Sequence, residues 1–336
     1  MTDTINAADI DILGFGNAII DVLASADDAF LAEHNIAKGG MMLIDEPEAA
    51  AIYGAMASSV EISGGSVANS IACVASFGGK GAFTGKVAAD ALGETYRNDL
   101  RSLGVVFDTA PLADGPGTGR CLINVTPDAQ RSMSTFLGAA GYVGPLDVDN
   151  DLIERAAITF FEGYLFEPAE PRKAFEAASA VARQAGRQVA MTLSDSGVVD
   201  RQFDALKPFI ENNIDILLAN DAEAAALFGS SETGDIADKA REICALTAIT
   251  HSEKGSVLIP RDGAPVIIDA VKPAQLIDTT GAGDAYAAGL LWGLSNGFPL
   301  ERAGALGSLA AAEVISHFGA RPEEPLKDLA KKAGLL

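Results

Sequence analysis

Little in this chain could staple it or anchor it. Its 336 residues hold three cysteines (Cys73, Cys121 and Cys244), three histidines and one tryptophan. The cysteines are odd in number, far apart and form no C-x-x-C pair, so neither a disulfide framework nor a zinc site is expected, and a reducing compartment fits them. Basic residues are scarce: 24 Lys and Arg stand against 46 Asp and Glu, a formal charge of −22. No Lys/Arg run relieves that field, which argues against nucleic acid and anionic membrane surfaces as partners. Long apolar runs are missing too. The longest uncharged stretch, Ile62 to Gly79, contains four glycines, four serines and an asparagine, too polar to span a bilayer. Met1 to Asp11 carries three aspartates and no basic residue, unlike a signal or transit peptide, so a cytoplasmic protein is expected.

What the chain does have is apolar bulk and glycine. Hydrophobic residues make up 49% and charged residues 21%, a globular balance that argues against disorder, collagen and coiled coil. At about 150 residues per domain the length allows two units or one large α/β unit. Glycine, at 35 residues, exceeds the usual ~7% share, which suits backbone that turns sharply or lies against a ligand. Short apolar runs alternate with longer Ala-rich amphipathic segments, the signature of parallel strands joined by helices, and the class is α/β. Strands are expected at Ile10 to Phe15, Ala82 to Val87, Ile158 to Phe161, Val189 to Leu193, Ile214 to Leu218, Ala248 to Thr250, Ser256 to Ile259 and Val266 to Ile268. Helices are expected at Val67 to Phe77, Leu92 to Ser102, Arg172 to Ala185, Ala222 to Phe228, Ala237 to Leu246, Ala285 to Leu294 and Leu300 to His317. Two stretches break the rhythm, Asp21 to Asp45 and Thr118 to Leu137. They read as antiparallel strands of a separate small sheet, either a lid over a site or an edge decoration.

Several familiar signatures are incomplete. Gly14-Phe15-Gly16 follows a strand, but Ile19 stands where a dinucleotide fingerprint needs its third glycine. Gly81 to Val87 is one residue short of a P-loop, and Val87 cannot ligate Mg²⁺. No G-x-S-x-G elbow occurs, and His34, His251 and His317 sit in no triad-like setting.

The informative segment is Asp278-Thr279-Thr280-Gly281-Ala282-Gly283-Asp284, which runs straight into a helix pattern from Ala285 to Leu294. A glycine turn feeding a helix aims the backbone N–H groups of Gly281 to Asp284 out of the first turn, with the positive end of the dipole behind them. That makes an anion hole suited to developing phosphoryl charge. Asp284, beside it, is either a partner of the helix dipole or a general base for an attacking hydroxyl. Ala285, Gly289 and Gly293 recur at i, i+4 and i+8, a small-residue face expected to lie against the sheet and fix where Asp284 points.

This segment resembles the second signature of the ribokinase-like, or PfkB-type, family of carbohydrate and nucleoside kinases, and the resemblance extends from Gly14 to about Gly319. It implies one domain over 1–336, with a three-layer α/β/α core, a mostly parallel central sheet and a small β lid formed by about 21–45 and 118–137. It implies ATP-dependent phosphorylation of a primary hydroxyl, with Asp284 as base, Gly281, Ala282 and Gly283 as the anion hole, and Mg²⁺ as the metal. Asn17 and Asp21, at the exit of the first strand, would then hydrogen-bond sugar hydroxyls. Ser63-Gly64-Gly65-Ser66-Val67-Ala68-Asn69 resembles the first signature, in which Gly64 and Gly65 let backbone approach the sugar and Asn69 bonds a hydroxyl. Asn220-Asp221-Ala222-Glu223 resembles an N-x-x-E element, which implies Asn220 near the phosphates and Glu223 acting on Mg²⁺ through its waters. Thr250 and Gly255 match the nucleotide-edge loop, although His251-Ser252-Glu253-Lys254 departs from its small-residue pattern. Asp278 and the Thr280 carbonyl match positions that hold a monovalent cation such as K⁺ in several members.

Within the family, Thr118 to Ile123, Asp128 to Ser132 and Ala139 to Gly141 resemble the adenosine kinase group more than ribokinases or fructokinases. Arg131 then matches a lid arginine that closes toward the transferring phosphate, a local cation against the −22 background. Met41, Leu43, Cys121, Met133, Leu137 and Tyr164 would line a base pocket, with Tyr164 as the stacking ring. The resemblance thus implies phosphorylation of a nucleoside 5′-hydroxyl, adenosine to AMP. A sugar kinase of the same family, an inosine or guanosine kinase and a catalytically silent binder stand as rivals. Small molecules and ATP are the expected partners, and monomer and homodimer both stay open.

Overall fold

The computed structural model describes residues 8–56, 59–128 and 130–336. Met1 to Ala7, on which the leader reading partly rests, and Ala129 lie outside them. In chain order the strands are β1 (Ile10–Phe15), β2 (Ile19–Ser25), β3 (Met41–Leu43), β4 (Val60–Ser63), β5 (Gly81–Thr84), β6 (Gly119–Val125), β7 (Arg131–Phe136), β8 (Ala156–Glu162), β9 (Gln188–Thr192), β10 (Ile216–Asn220), β11 (Leu246–Thr250), β12 (Ser256–Pro260) and β13 (Val266–Ile268). They form two sheets.

The larger sheet has the order β13-β12-β11-β10-β9-β8-β1-β5. From β11 across to β5 the pairing is parallel, and β12 and β13 add antiparallel at one edge. Its members are the strands expected from the sequence, shifted by a few residues at their ends. Successive β1 side chains go to opposite faces: Ile12 joins one apolar cluster, with Ile158, Leu290 and Leu306, while Leu13 and Phe15 join another, with Phe161, Phe175 and Ile210. Helices therefore cover both faces, giving three layers with two cores. The sequence pattern passed over the helix Ser196–Asn213, where Pro208 interrupts an otherwise continuous run. Among the described residues no helix is long and apolar enough to cross a membrane.

The smaller sheet, β3-β7-β6-β2-β4, departs from expectation in direction. β6 with β7 and β2 with β4 are antiparallel, but β2 with β6 and β3 with β7 are parallel. The hairpin partner of β6 is β7, so β2, arriving from the large sheet, takes the other edge of β6 in the same direction. The stretch from Asp21 to Asp45 also holds a short helix, Asp28–Glu33, started by the Asp27 carboxylate accepting from Phe30 N at 2.8 Å. Two of the chain's crossings between the sheets are β1 to β2, through Gly16, Asn17 and Ala18, and β4 into the helix Ser66–Ser76, through Gly64 and Gly65. Gly65 has φ +97°, and a Cβ there would lie 2.1 Å from the Asn17 carbonyl oxygen, so the two crossings touch only because it is glycine.

The small-residue face of the helix Ala282–Ser295 meets another helix, not the sheet. A Cβ on Gly289 would stand 2.5 Å from the Leu306 carbonyl, and one on Gly293 would stand 2.8 Å from Ala303. Glycine allows backbone-to-backbone approach, and the helix Leu300–Val314 reciprocates with Ala303 and Gly307, whereas a sheet carpeted with Ile and Leu side chains does not. Gly289→Ala would ordinarily gain up to ~1 kcal/mol of helix propensity. Here overpacking should outweigh it, with a net loss of about 1–2 kcal/mol read as a lower urea midpoint at unchanged slope; an unchanged or raised midpoint would contradict the packing.

Candidate active site

The carboxyl ends of β1, β8, β10 and β11 open onto one cavity of about 440 Å³, the position at which open parallel sheets bind ligands. One wall is the N-terminus of the helix Ala282–Ser295, whose N-cap Gly281 has φ 78° and which no side chain caps. Gly281, Ala282, Gly283 and Asp284 all line the cavity, and a Cβ on Gly283 would meet nothing within 4 Å. Ala282 N donates to the Thr279 carbonyl at 3.3 Å, and at Gly283 the first turn borders open space, as an anion site requires.

Asp284 is held on several sides. Ser66 Oγ donates to its Oδ1 at 2.6 Å, Asn69 Nδ2 to its Oδ2 at 3.4 Å, and Ser70 Oγ to its carbonyl at 2.9 Å. Burial pushes the carboxyl up to about 6, while the bonds from Ser66 and Asn69 hold it down. Such a group is ionised at neutral pH and retains useful basicity.

Asp21 sits on β2 with its carboxylate over Gly64, where a Cβ would lie 2.3 Å from Asp21 Cγ. That glycine makes room for Asp21. Burial pushes Asp21 up to about 7; Arg321 and Arg131 pull it down and Asp284 pushes it up. Asn17 is held through its donors, Glu162 Oε1 accepting from its backbone N at 3.0 Å and its Nδ2 at 2.6 Å, while its Oδ1 has no partner; Glu162 Oε2 accepts from Val67 N at 3.0 Å. Asn17, Asp21, Gly65 and Asn69 line the cavity with Glu162; Gly64 does not.

The same cavity also has an apolar lining. Met41 and Leu43 of β3, Cys121 of β6, Met133 of β7, and Leu137 all line it, and Tyr164 does too, its phenol raised by burial. Toward β10 and β11 the lining includes Asn220, Glu223 and Thr250. Asn220 and Glu223 form a reciprocal capping box: Glu223 Oε2 and Oε1 accept from Asn220 N at 3.0 Å and Nδ2 at 2.8 Å, and Asn220 Oδ1 accepts from Glu223 N at 2.9 Å. Burial pushes Glu223 up to about 7. Among the described residues no three His, Cys, Asp or Glu converge as a metal cage.

Gly255, Arg131 and Asp278 lie outside this lining. Gly255, at φ 89°, closes the β11–β12 turn, where a Cβ would fall 2.0 Å from the Ile268 carbonyl oxygen. The Arg131 guanidinium is docked on the Asp278 carboxylate and donates to Thr280 Oγ1 at 2.9 Å. Asp278 also accepts from Thr280 N at 3.0 Å and Gly319 N at 3.1 Å. Arg131 therefore ties β7 to the loop that leads into the anion hole.

Sequence reasoning gave no role to Ser66, Ser70, Glu162 or Arg321. Ser66 stood within a quoted motif, with Ser70 one helical turn on. Glu162 could have been found as the one acid closing the apolar strand β8. Arg321, in a polar turn, gave no signal.

Residues 45–327 match the pfkB family of carbohydrate kinases. An adenosine kinase structure from Sinorhizobium meliloti is 43% identical with a TM-score of 0.91, covering 97% of this chain and 100% of that one. A probable sugar kinase from Rhizobium etli is 40% identical with a TM-score of 0.92, covering 98% and 100%. Adenosine kinase 2 of Arabidopsis thaliana is 27% identical over 338 residues, covering 94% of this chain and 96% of the relative. With its parallel sheet, its uncapped glycine turn and its half-buried aspartate, the chain belongs to the pfkB family of carbohydrate kinases, ATP-dependent phosphotransferases.

Proposed function

We propose that the protein transfers the γ-phosphoryl group of ATP to the 5′-hydroxyl of a nucleoside, with adenosine as the preferred acceptor. One observation carries this reading: a single cavity is lined both by the polar Asp21, Asn69 and Asp284 and by the apolar Met41, Leu43, Met133 and Leu137. A nucleoside offers a polar ribose and a less polar base to meet both kinds of lining, and a free sugar would leave the apolar residues wet. The likeness to the Sinorhizobium meliloti adenosine kinase supports it.

In this mechanism Asp21 accepts from ribose hydroxyls and Asn69 holds a neighbouring one. Asp284 takes the proton of the attacking 5′-hydroxyl, and the N–H groups of Gly281 to Gly283 receive the charge that develops on the phosphoryl oxygens. The uncapped N-terminus over open space fits the phosphates of ATP. Bound Mg²⁺ supplies charge neutralisation on those oxygens. Glu223, its oxygens already shared with Asn220, would hold the ion through water, and Asn220 and Thr250 would flank the nucleotide. The smaller sheet serves as a lid on a single domain, closed by Arg131 and excluding water from the transfer.

A monovalent cation does not fit beside Asp278 in this arrangement. The carboxylate already accepts two backbone N–H groups and the Arg131 guanidinium. A further unit charge about 4 Å from that guanidinium meets ~4 kcal/mol of repulsion at an effective dielectric of 20. At matched ionic strength, exchanging K⁺ for tetramethylammonium should change kcat by less than about twofold; strong K⁺ activation would contradict this.

Two further measurements test the reading. ADP release from Mg·ATP, followed with equal concentrations of adenosine, inosine, guanosine, ribose and fructose, should be led by adenosine. A free sugar in the lead overturns the acceptor, and no ADP with any of them favours a silent binder. Asp284→Asn should lower kcat at least ~10²-fold while acceptor affinity holds. In the unaltered protein kcat/KM should fall as pH drops through about 6, because the protonated carboxyl cannot take the hydroxyl proton; near-normal turnover by the variant removes Asp284 from the base role.

A further inference from the structure

We propose that Arg321 is a positioning residue for the acceptor, holding the Asn69 amide so that its NH₂ group faces Asp284. The proposal rests on the acceptor site described above. Arg321 lies beyond the helix Leu300–Val314, two residues after Gly319, whose N–H bonds Asp278. Its Nη1 donates to Asp99 Oδ2 at 2.6 Å, and its Nε donates to Asn69 Oδ1 at 3.3 Å. Asp99 stands on the helix Ala91–Ser102, and Asn69 on Ser66–Ser76.

A carboxamide has two ends of nearly the same shape, so its neighbours decide which end is oxygen. Asn69 is buried between a cation and an anion. As placed, its oxygen meets the guanidinium and its NH₂ meets the Asp284 carboxylate. Turned over, it would set oxygen against carboxylate and NH₂ against guanidinium, two repulsive contacts in a low-dielectric site. Removing Arg321 removes half of that choice. A hydrogen-bonded chain therefore runs from Asp99 at the surface through Arg321 and Asn69 to the base.

Two more observations agree. Arg321 Nη2 is buried with no partner, a costly arrangement for a residue that merely fills space; Asp99 and Asn69 set where the guanidinium lies. Arg321, Asp21 and Asn69 also line a second cavity of about 170 Å³, which brings the guanidinium to the side of Asp21. There its charge favours the ionised form of the group that would accept from the ribose.

A double-mutant cycle tests the proposal, with adenosine and Mg·ATP as substrates and Tm as a second readout. Arg321→Ala should lower kcat/KM for adenosine about 10- to 100-fold, the value of one hydrogen bond involving a charged group. KM for ATP should change by less than about twofold, since an effect carried through Asn69 stays with the acceptor. In an Asn69→Ala background the same change should cost no more than about threefold in kcat/KM, while the losses in Tm add. Kinetic losses that multiply in the double variant overturn the proposal and leave the acceptor site standing. Asn69→Ala with unaltered kcat/KM overturns the acceptor-site reading and the proposal with it. Should Arg321→Ala fail to fold, Arg321→Lys keeps the charge near Asp99 but lacks the planar fork that reaches both partners. It should hold Tm and still lose kcat/KM for adenosine, and full activity in it overturns the proposal.

Discussion

The buried carboxylate of Glu162 accepts three hydrogen bonds from two separate segments, two from Asn17 at the exit of β1 and one from Val67 in the first turn of the helix Ser66–Ser76. Those segments are two of the places where the chain passes between its sheets, so one side chain at the end of β8 ties these two crossings together. Without it, three buried N–H donors would lack partners, at ~1–3 kcal/mol each. The glycines follow from this constraint. A Cβ on Gly16 would lie 2.5 Å from Glu162 Oε2, and Gly65 is excluded from bearing one by the Asn17 carbonyl. Once the helix Ser66–Ser76 is fixed, Ser66, Asn69 and Ser70 are in place to hold Asp284.

What could be read from the sequence was whatever is local. The strands of the large sheet are covered on both faces and read as apolar runs, and the glycine turn into the helix Ala282–Ser295 carries its chemistry within seven residues, Asp278 to Asp284. What could not be read depends on a distant partner. The composition of the Ala285, Gly289 and Gly293 face was plain, but not that Ala303 and Leu306 would meet it. The register of Asp21 opposite Cys121 joins strands about a hundred residues apart, and their direction follows from the order of pairing. Arg131 was legible as a cation in the right sheet, and its seat on Asp278 was not. Arg321 lies in no motif and acquires meaning only from Asp99 and Asn69.

A net charge of −22 sets the electrostatic problem for an enzyme of polyanions, and the site answers it with local devices. Burial pushes Asp284 up to about 6 and Asp21, Glu162 and Glu223 up to about 7, so near neutrality the cavity carries less negative charge than its carboxyl count suggests. The guanidinium groups of Arg131 and Arg321 flank it, and uncapped backbone N–H groups add positive potential without a titratable group.

The bonds that define the site join residues far apart along the chain: Asn17 to Glu162 across 145 positions, Ser66 to Asp284 across 218, and Asn69 to Arg321 across 252. Contacts of such separation form slowly, because loop closure must be met before they contribute. A chain that has assembled its parallel sheet but not yet brought Arg321 to Asn69 is compact without this contact of the site, so on this reasoning full catalytic competence follows compaction.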